Sequence, residues 1–137
     1  MASPLSNATA RRLRSAGSIV ATIFAAAACA AAPAPLVKDP IRTDADKYRV
    51  VLENERVRVL RYHDEPGAST HLHHHPCFVM YALGSFERKL VLADGSERLR
   101  RFRAGETAWM PAQSHSGHNV GSTPTDALLI ELKSGCN

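Results

Sequence analysis

The 137-residue sequence lacks the lopsided charge of a nucleic-acid binder, although its formal net charge is +4. Arg11, Arg12 and Arg14 supply three of the seventeen basic residues, and no acidic residue lies among the first thirty. Beyond residue 30, fourteen basic side chains stand against thirteen acidic ones, a net charge of +1. That balance leaves no electrostatic footprint for phosphates, so no nucleic-acid partner is expected. No segment has a convincing helical period, and no internal repeat is evident, which sets aside bundles and solenoids. A strong membrane span is missing too. Ser15 to Ala32 is uncharged and largely apolar, but it is near the lower length limit and mostly alanine, a weak driver of insertion. Cysteine is scarce, with only Cys29, Cys77 and Cys136.

What the first quarter does hold is an ordered leader. Ala10 to Arg14 (ARRLR) is basic, Ser15 to Ala32 is apolar, and Ala28 and Ala30 give an A-x-A cleavage pattern. Basic, then apolar, then small is the order of a secretory signal peptide. Residues 1–30 are therefore expected to be a signal peptide, and the protein to be exported, periplasmic or secreted. Cys29 follows Ala26-Ala27-Ala28, which resembles a bacterial lipoprotein processing site with Ala26 where leucine is usual. A lipid anchor at Cys29 is the alternative outcome. Arg11-Arg12 matches a twin-arginine export signal poorly. Cys77 and Cys136 would enter an oxidising compartment, where a bridge between them, free thiols and intermolecular pairing are all open.

Residues 31–46 carry Pro33, Pro35 and Pro40 and no apolar period, and they read as a flexible tether. A folded domain is expected over 47–134. Strand-like stretches follow one another: Tyr48 to Leu52, the alternating Val57 to Leu60, the apolar run Phe78 to Leu83, then Phe86 to Leu92 and Glu97 to Arg103 around Asp94-Gly95, Thr107 to Met110, and Ala127 to Lys133. Short strands separated by turns point to an all-β sandwich or barrel with one modest core. Phe78 to Leu83 reads as a strand buried on both faces, and Trp109 and Phe102 as core residues.

The chemistry concentrates in Gly67 to Gly84 (GASTHLHHHPCFVMYALG), where His71, His73, His74 and His75 precede a strand. Alternation along an extended chain puts His71, His73 and His75 on one face and His74 on the other. Converging neutral imidazoles hold transition metals; a polar surface loop is the competing interpretation. A second group lies in Ser114 to Asn119 (SHSGHN), expected to be a loop after the strand ending at Met110-Pro111. His73 and His75 with His115 would make a three-nitrogen site, open to water or substrate.

On these residues the domain resembles a small single-domain cupin. The first cupin motif opens with Gly67 and places its two histidines at His73 and His75. The second fits Gly105 and Pro111, and His115 and Asn119 stand in its His-x3-Asn relation. The resemblance covers about Tyr48 to Lys133 and implies a small jelly-roll β-barrel with a metal in its mouth. The chain departs from the pattern in four places. Val79 or Met80 stands where the first motif has Glu, Gly84 comes early, Gln113 replaces a glycine, and His115 comes one residue early. Without the Glu, the site is similar to that of three-histidine cupins, some of them iron-dependent dioxygenases. Asn119 would by the same analogy tie down its loop. Pairing of small cupins through their sheets implies a homodimer.

Other candidates have weaker warrants. Cys77 shares the parity of His75 and could ligate a soft metal, though an inert buried thiol is the simpler assignment. His71 could be a fourth ligand, His118 a supporting partner and His63 a turn residue. Tyr81 and Val79 are expected to face the pocket, which makes Tyr81 a weak catalytic candidate as a proton donor. One of Arg98, Arg100, Arg101 and Arg103, turned into the barrel, would suit an anionic substrate. The expected cofactor is a divalent transition metal: iron, zinc, manganese, nickel or copper all accept imidazole. The functions that follow are a metal-dependent, dioxygenase-like enzyme acting on a small molecule, a non-catalytic metal or small-ligand binder, or a structural barrel without metal.

Overall fold

The computed structural model describes residues 38–136. The expected signal peptide, Cys29 and the first part of the tether lie outside the described residues. Nine strands and one short helix follow in chain order: α1 Pro40–Thr43, β1 Tyr48–Glu53, β2 Val57–Asp64, β3 His73–His75, β4 Phe78–Ala82, β5 Phe86–Leu92, β6 Glu97–Phe102, β7 Thr107–Met110, β8 Gln113–Asn119 and β9 Thr125–Leu132. They form a five-stranded sheet, β1-β2-β9-β4-β7, and a four-stranded sheet, β3-β8-β5-β6. All the strand pairings within them are antiparallel. This is the expected all-β jelly roll. Among the described residues, no helix is long and apolar enough to cross a membrane.

The core lies between the sheets. Tyr48, Leu60, Tyr62, Phe78, Met80, Ala82, Phe86, Met110, Ala127 and Leu129 are its buried members. Alternation sets which side chains enter it: β9 buries Thr125, Ala127, Leu129 and Glu131 and turns the residues between them outward. Burying each large apolar side chain contributes roughly 1.5–3 kcal/mol. The Asp94-Gly95 hairpin joins β5 and β6 as expected, with Gly95 at φ 81°, a left-handed conformation that glycine adopts without strain.

Three expectations about organisation need correction. Residues 38–46 are not a flexible tether. The Asp39 carboxylate accepts from the Ile41 N–H, Pro40 starts the helix, and Asp44 is buried, so this segment belongs to the domain. The His74 N–H donates to the Lys38 carbonyl and the His71 N–H to the Asp44 carboxylate, so α1 braces the loop entering β3. Secondly, the Ser, Gly and His stretch at 113–119 is a strand, β8, paired with both β3 and β5. Its polar composition hid a half-buried strand. Lastly, β4 buries one face only: Phe78, Met80 and Ala82 point in, while Val79 and Tyr81 point out.

Cys77 and Cys136 are joined by a disulfide, with Cα atoms 5.4 Å apart. The C-terminal segment is therefore fixed beside the start of β4. Trp109 is 52% exposed, on the outer face of the five-stranded sheet rather than in the core. Phe102 is partly buried against the core, beside Phe86.

Candidate metal centre

β3 and β8 bring the three predicted ligands together. Antiparallel pairing sets His73 directly opposite His115, and alternation puts His75 on the same face as His73. All three are buried, and one ligand nitrogen from each lies within 4.8 Å of the others. Ring centroids are 4.8 Å apart for His73–His75 and for His73–His115, and 5.4 Å for His75–His115.

Each ring is held differently. The His75 Nδ1–H donates to Glu131 Oε1 at 2.6 Å. Glu131 also accepts from Arg58 Nε at 2.6 Å, and Arg58 reaches Asp39 at 2.7 Å. Burial raises the pKa of the Glu131 carboxyl, but the hydrogen bonds from His75 and Arg58 outweigh it and hold it below the ordinary value. His73 donates from Nδ1 to the His71 carbonyl at 2.8 Å, so its Nε2 is an acceptor and takes the Tyr48 hydroxyl at 3.2 Å. His75 Nε2 and His115 Nδ1 are buried with no hydrogen-bond partner. A buried nitrogen without a partner is costly unless something else binds it. Burial, reinforced by the neighbouring imidazoles, pushes the His73 pKa down to about 4 and the His115 pKa to about 2. These rings are neutral at ordinary pH, the form in which imidazole binds a metal.

The donor set therefore fits a transition metal: three buried imidazoles, two orphaned nitrogens, and a carboxylate behind one ring to fix its tautomer. The remaining histidines separate cleanly. His74 turns away and pairs through Nδ1 with Ser114 Oγ at 2.9 Å. His71 pairs with Asp44, but its side chain is 80% exposed, outside the cluster. His118 lies against Ser69 and His63 beside Glu65. Cys77 is occupied by its disulfide and is no ligand.

A cavity of about 60 Å³ opens beside His75 and His115, walled by Tyr48, Tyr62, Phe78, Phe86, Phe102 and Met110 among others. Tyr81 is not part of it. Its side chain lies on the outer face of β4, 38% exposed, because the inward parity of that strand belongs to Phe78 and Met80. The catalytic role considered for Tyr81 has no place in this geometry.

No family model matches the sequence, and no curated protein matches it. Solved structures do. A cupin domain from Bordetella pertussis Tohama I superposes with a TM-score of 0.58 at 25% identity, over 63% of this chain and 91% of that one. An RmlC-like cupin with a double-stranded β-helix fold, from Methanocaldococcus jannaschii, superposes at 0.51 with 14% identity, over 62% and 77%. The folded part has the small-cupin fold.

Several residues of this cupin site escape a motif-led search. No carboxylate joins the ligand group in place of the one missing at Val79 or Met80; Glu131, paired across from Phe78, instead supports His75 from behind. Its signal was available: Glu131 shares the parity of Ala127 and Leu129, a charge on an apolar face. Arg88 sits likewise in line with Phe86 and Leu90, and Asp64 with Leu60 and Tyr62. Tyr48, at the head of β1, gave no comparable sign. Asn119 is buried and secures its turn, donating to Asp64 at 3.2 Å and to the Thr123 carbonyl at 3.0 Å while accepting from the Gly121 N–H at 3.1 Å.

Proposed function

We propose that this cupin is an exported mononuclear metal protein that binds a small molecule beside the metal and uses a redox-active ion for oxygen chemistry on it. The observation that carries the reading is the buried trio His73, His75 and His115, with two ring nitrogens left without partners. When bound, the ion would supply a Lewis-acidic centre with open positions and, if redox-active, electrons for oxygen. The chain's own residues do the rest. Glu131 and the His71 carbonyl fix the tautomers of His75 and His73, while the apolar wall of Phe78, Phe86, Phe102 and Met110 limits water. Among the described residues, no carboxylate lines the cavity. Burial also drives the pKa of the Tyr48 hydroxyl far up, which unfits it as a base. General-base hydrolysis lacks its protein partner here, whereas oxygen chemistry does not need one.

That same lack of an acid or base favours a second reading, non-catalytic capture of a metal or small ligand. Metal content of the purified protein tests the shared premise: one equivalent is expected, and loss of uptake in the His73→Ala, His75→Ala double variant. No stoichiometric metal, or unchanged uptake in that variant, would refute it. Oxygen consumption by the iron-loaded protein with thiols and catechols separates the two readings, since a flat response favours capture. The Cys77–Cys136 disulfide supports export, because such bridges persist in oxidising compartments. Fractionation of cells making the full chain tests it, with the cytoplasm as the refuting location.

A further inference from the structure

The cavity beside the histidines has a second chemical end. β5 and β6 pair so that Arg88 and Arg100 lie directly opposite on the same face, and both line the cavity. Like charges directly across a strand pair repel, and an anion between the two guanidiniums would relieve that repulsion. Arg88 is already partly neutralised. It is 7% exposed and donates through Nη1 to Asp64 at 2.5 Å and to Thr125 at 3.1 Å, with its guanidinium stacked over Tyr62 at 4.6 Å.

Among the described residues, Arg88 Nε and Nη2 have no hydrogen-bond partner, and Arg100 has neither hydrogen bond nor ion pair. Asp64 and Thr125 hold the Arg88 guanidinium in place. Gly117 on β8 leaves the space that guanidinium fills, and a Cβ at that position would collide with Nη2. A guanidinium only partly neutralised by Asp64, lining a cavity that a second, unpaired arginine also lines, makes a candidate anion site. Asp64 offsets one of the two charges, and Arg100 is uncompensated. Between this end and the histidines the inner face of the four-stranded sheet carries Leu90, while Phe78 and Met110 line the cavity from the other sheet. Phe86 and Phe102 lie on the far side of the arginine pair.

We propose that the cavity binds a small organic carboxylate, its anionic end held by Arg100 beside Arg88, its apolar body against Leu90, Phe78 and Met110. This names the ligand class of the pocket assigned above, and it rests on that assignment for placing the other end of the ligand near His75 and His115. A bidentate guanidinium suits the planar carboxylate, and the apolar wall disfavours a fully hydrated inorganic anion.

Calorimetric titration of the purified protein, metal-free and zinc-loaded, with butyrate, the neutral isostere butyramide and inorganic phosphate tests it. Butyrate is expected to bind at least about tenfold more tightly than butyramide or phosphate, the scale of a charge-assisted hydrogen bond. Arg100→Gln, a change at an exposed position without ion pairs, is expected to lose about tenfold in butyrate affinity in both forms with zinc stoichiometry unchanged. Equal binding of butyrate and butyramide, phosphate binding as tightly as butyrate, or an Arg100→Gln variant as tight as the parent would each overturn the proposal. The two readings fail separately. Stoichiometric zinc with butyrate indifferent to Arg100→Gln refutes the carboxylate site alone. Absence of zinc uptake with butyrate still dependent on Arg100 refutes the metal reading alone.

Discussion

Two side chains oppose one another around the histidines. The Tyr48 hydroxyl donates to His73 Nε2, the nitrogen that a metal would need, whereas Glu131 accepts from His75 Nδ1 and frees the opposite nitrogen. A metal ion drawing on His73 must displace the Tyr48 bond, worth about 1 kcal/mol net. Tyr48→Phe should therefore tighten zinc binding about fivefold, measured by competition with a chromophoric chelator. Weaker binding would show that the hydroxyl supports the site instead of competing with it. Glu131→Gln should act the other way. Removing the carboxylate that orients a ligating imidazole typically costs about 10–100-fold in metal affinity. The same competition assay checks it, with circular dichroism confirming that the variant stays folded beside Arg58.

At the scale of strands, the site is a product of register. His73 meets His115 only because β3 and β8 pair in one alignment, and a shift by one residue would present His74 and Ser114. The pairing of histidines was legible in the sequence because strand alternation and the two motifs agree. The strand character of 113–119 was not, since serine, glycine and histidine carry little β signal and the strand is held by its neighbours β3 and β5. Alternation carried on from His75 expects Val79 and Tyr81 to face inward, but the break at Pro76-Cys77 between β3 and β4 shifts the parity, so Phe78 and Met80 face in and Tyr81 faces out. Charged residues on apolar faces were the overlooked cue. Asp64 at the end of β2 shows what such a residue does: it accepts from Tyr62, Arg88 and Asn119 and joins both sheets. Burial raises its pKa, but the bonds from Tyr62 and Arg88 prevail and hold it below the ordinary 3.8. The sign follows: ionised Asp64 contributes stability above its unfolded pKa, and that contribution is lost as pH falls below 3.8 through the lower folded value. Asp64→Asn should cost about 3–5 kcal/mol at neutral pH by leaving Arg88 buried without its counter-charge. In denaturant titrations the gap from the parent should narrow below pH 3.8. A gap constant across that range would remove Asp64 from the acid limb.

Over the whole domain, both ends of the described chain converge on the edge that carries the histidines. α1 holds the entry to β3 through Asp44 and Lys38, and the disulfide fixes Cys136 to Cys77, two residues after His75. Cys77 also accepts from the Leu132 N–H, next to Glu131, so β9 and the start of β4 are already joined by the backbone. This redundancy separates stability from metal binding. The bridge spans a sequence separation of 59, and chain-entropy arguments put its contribution at roughly 4 kcal/mol, acting mainly on the unfolded chain. Reduction, or Cys136→Ser, should lower the free energy of unfolding by up to about that amount. Zinc affinity should change little while the protein stays folded, because His73, His75 and His115 are positioned by β3 and β8 and by Glu131, none of which the bridge joins directly. Denaturation with and without reductant, paired with chelator competition on the folded protein, measures both quantities. A large fall in zinc affinity on reduction, without unfolding, would instead mean that the disulfide positions His75.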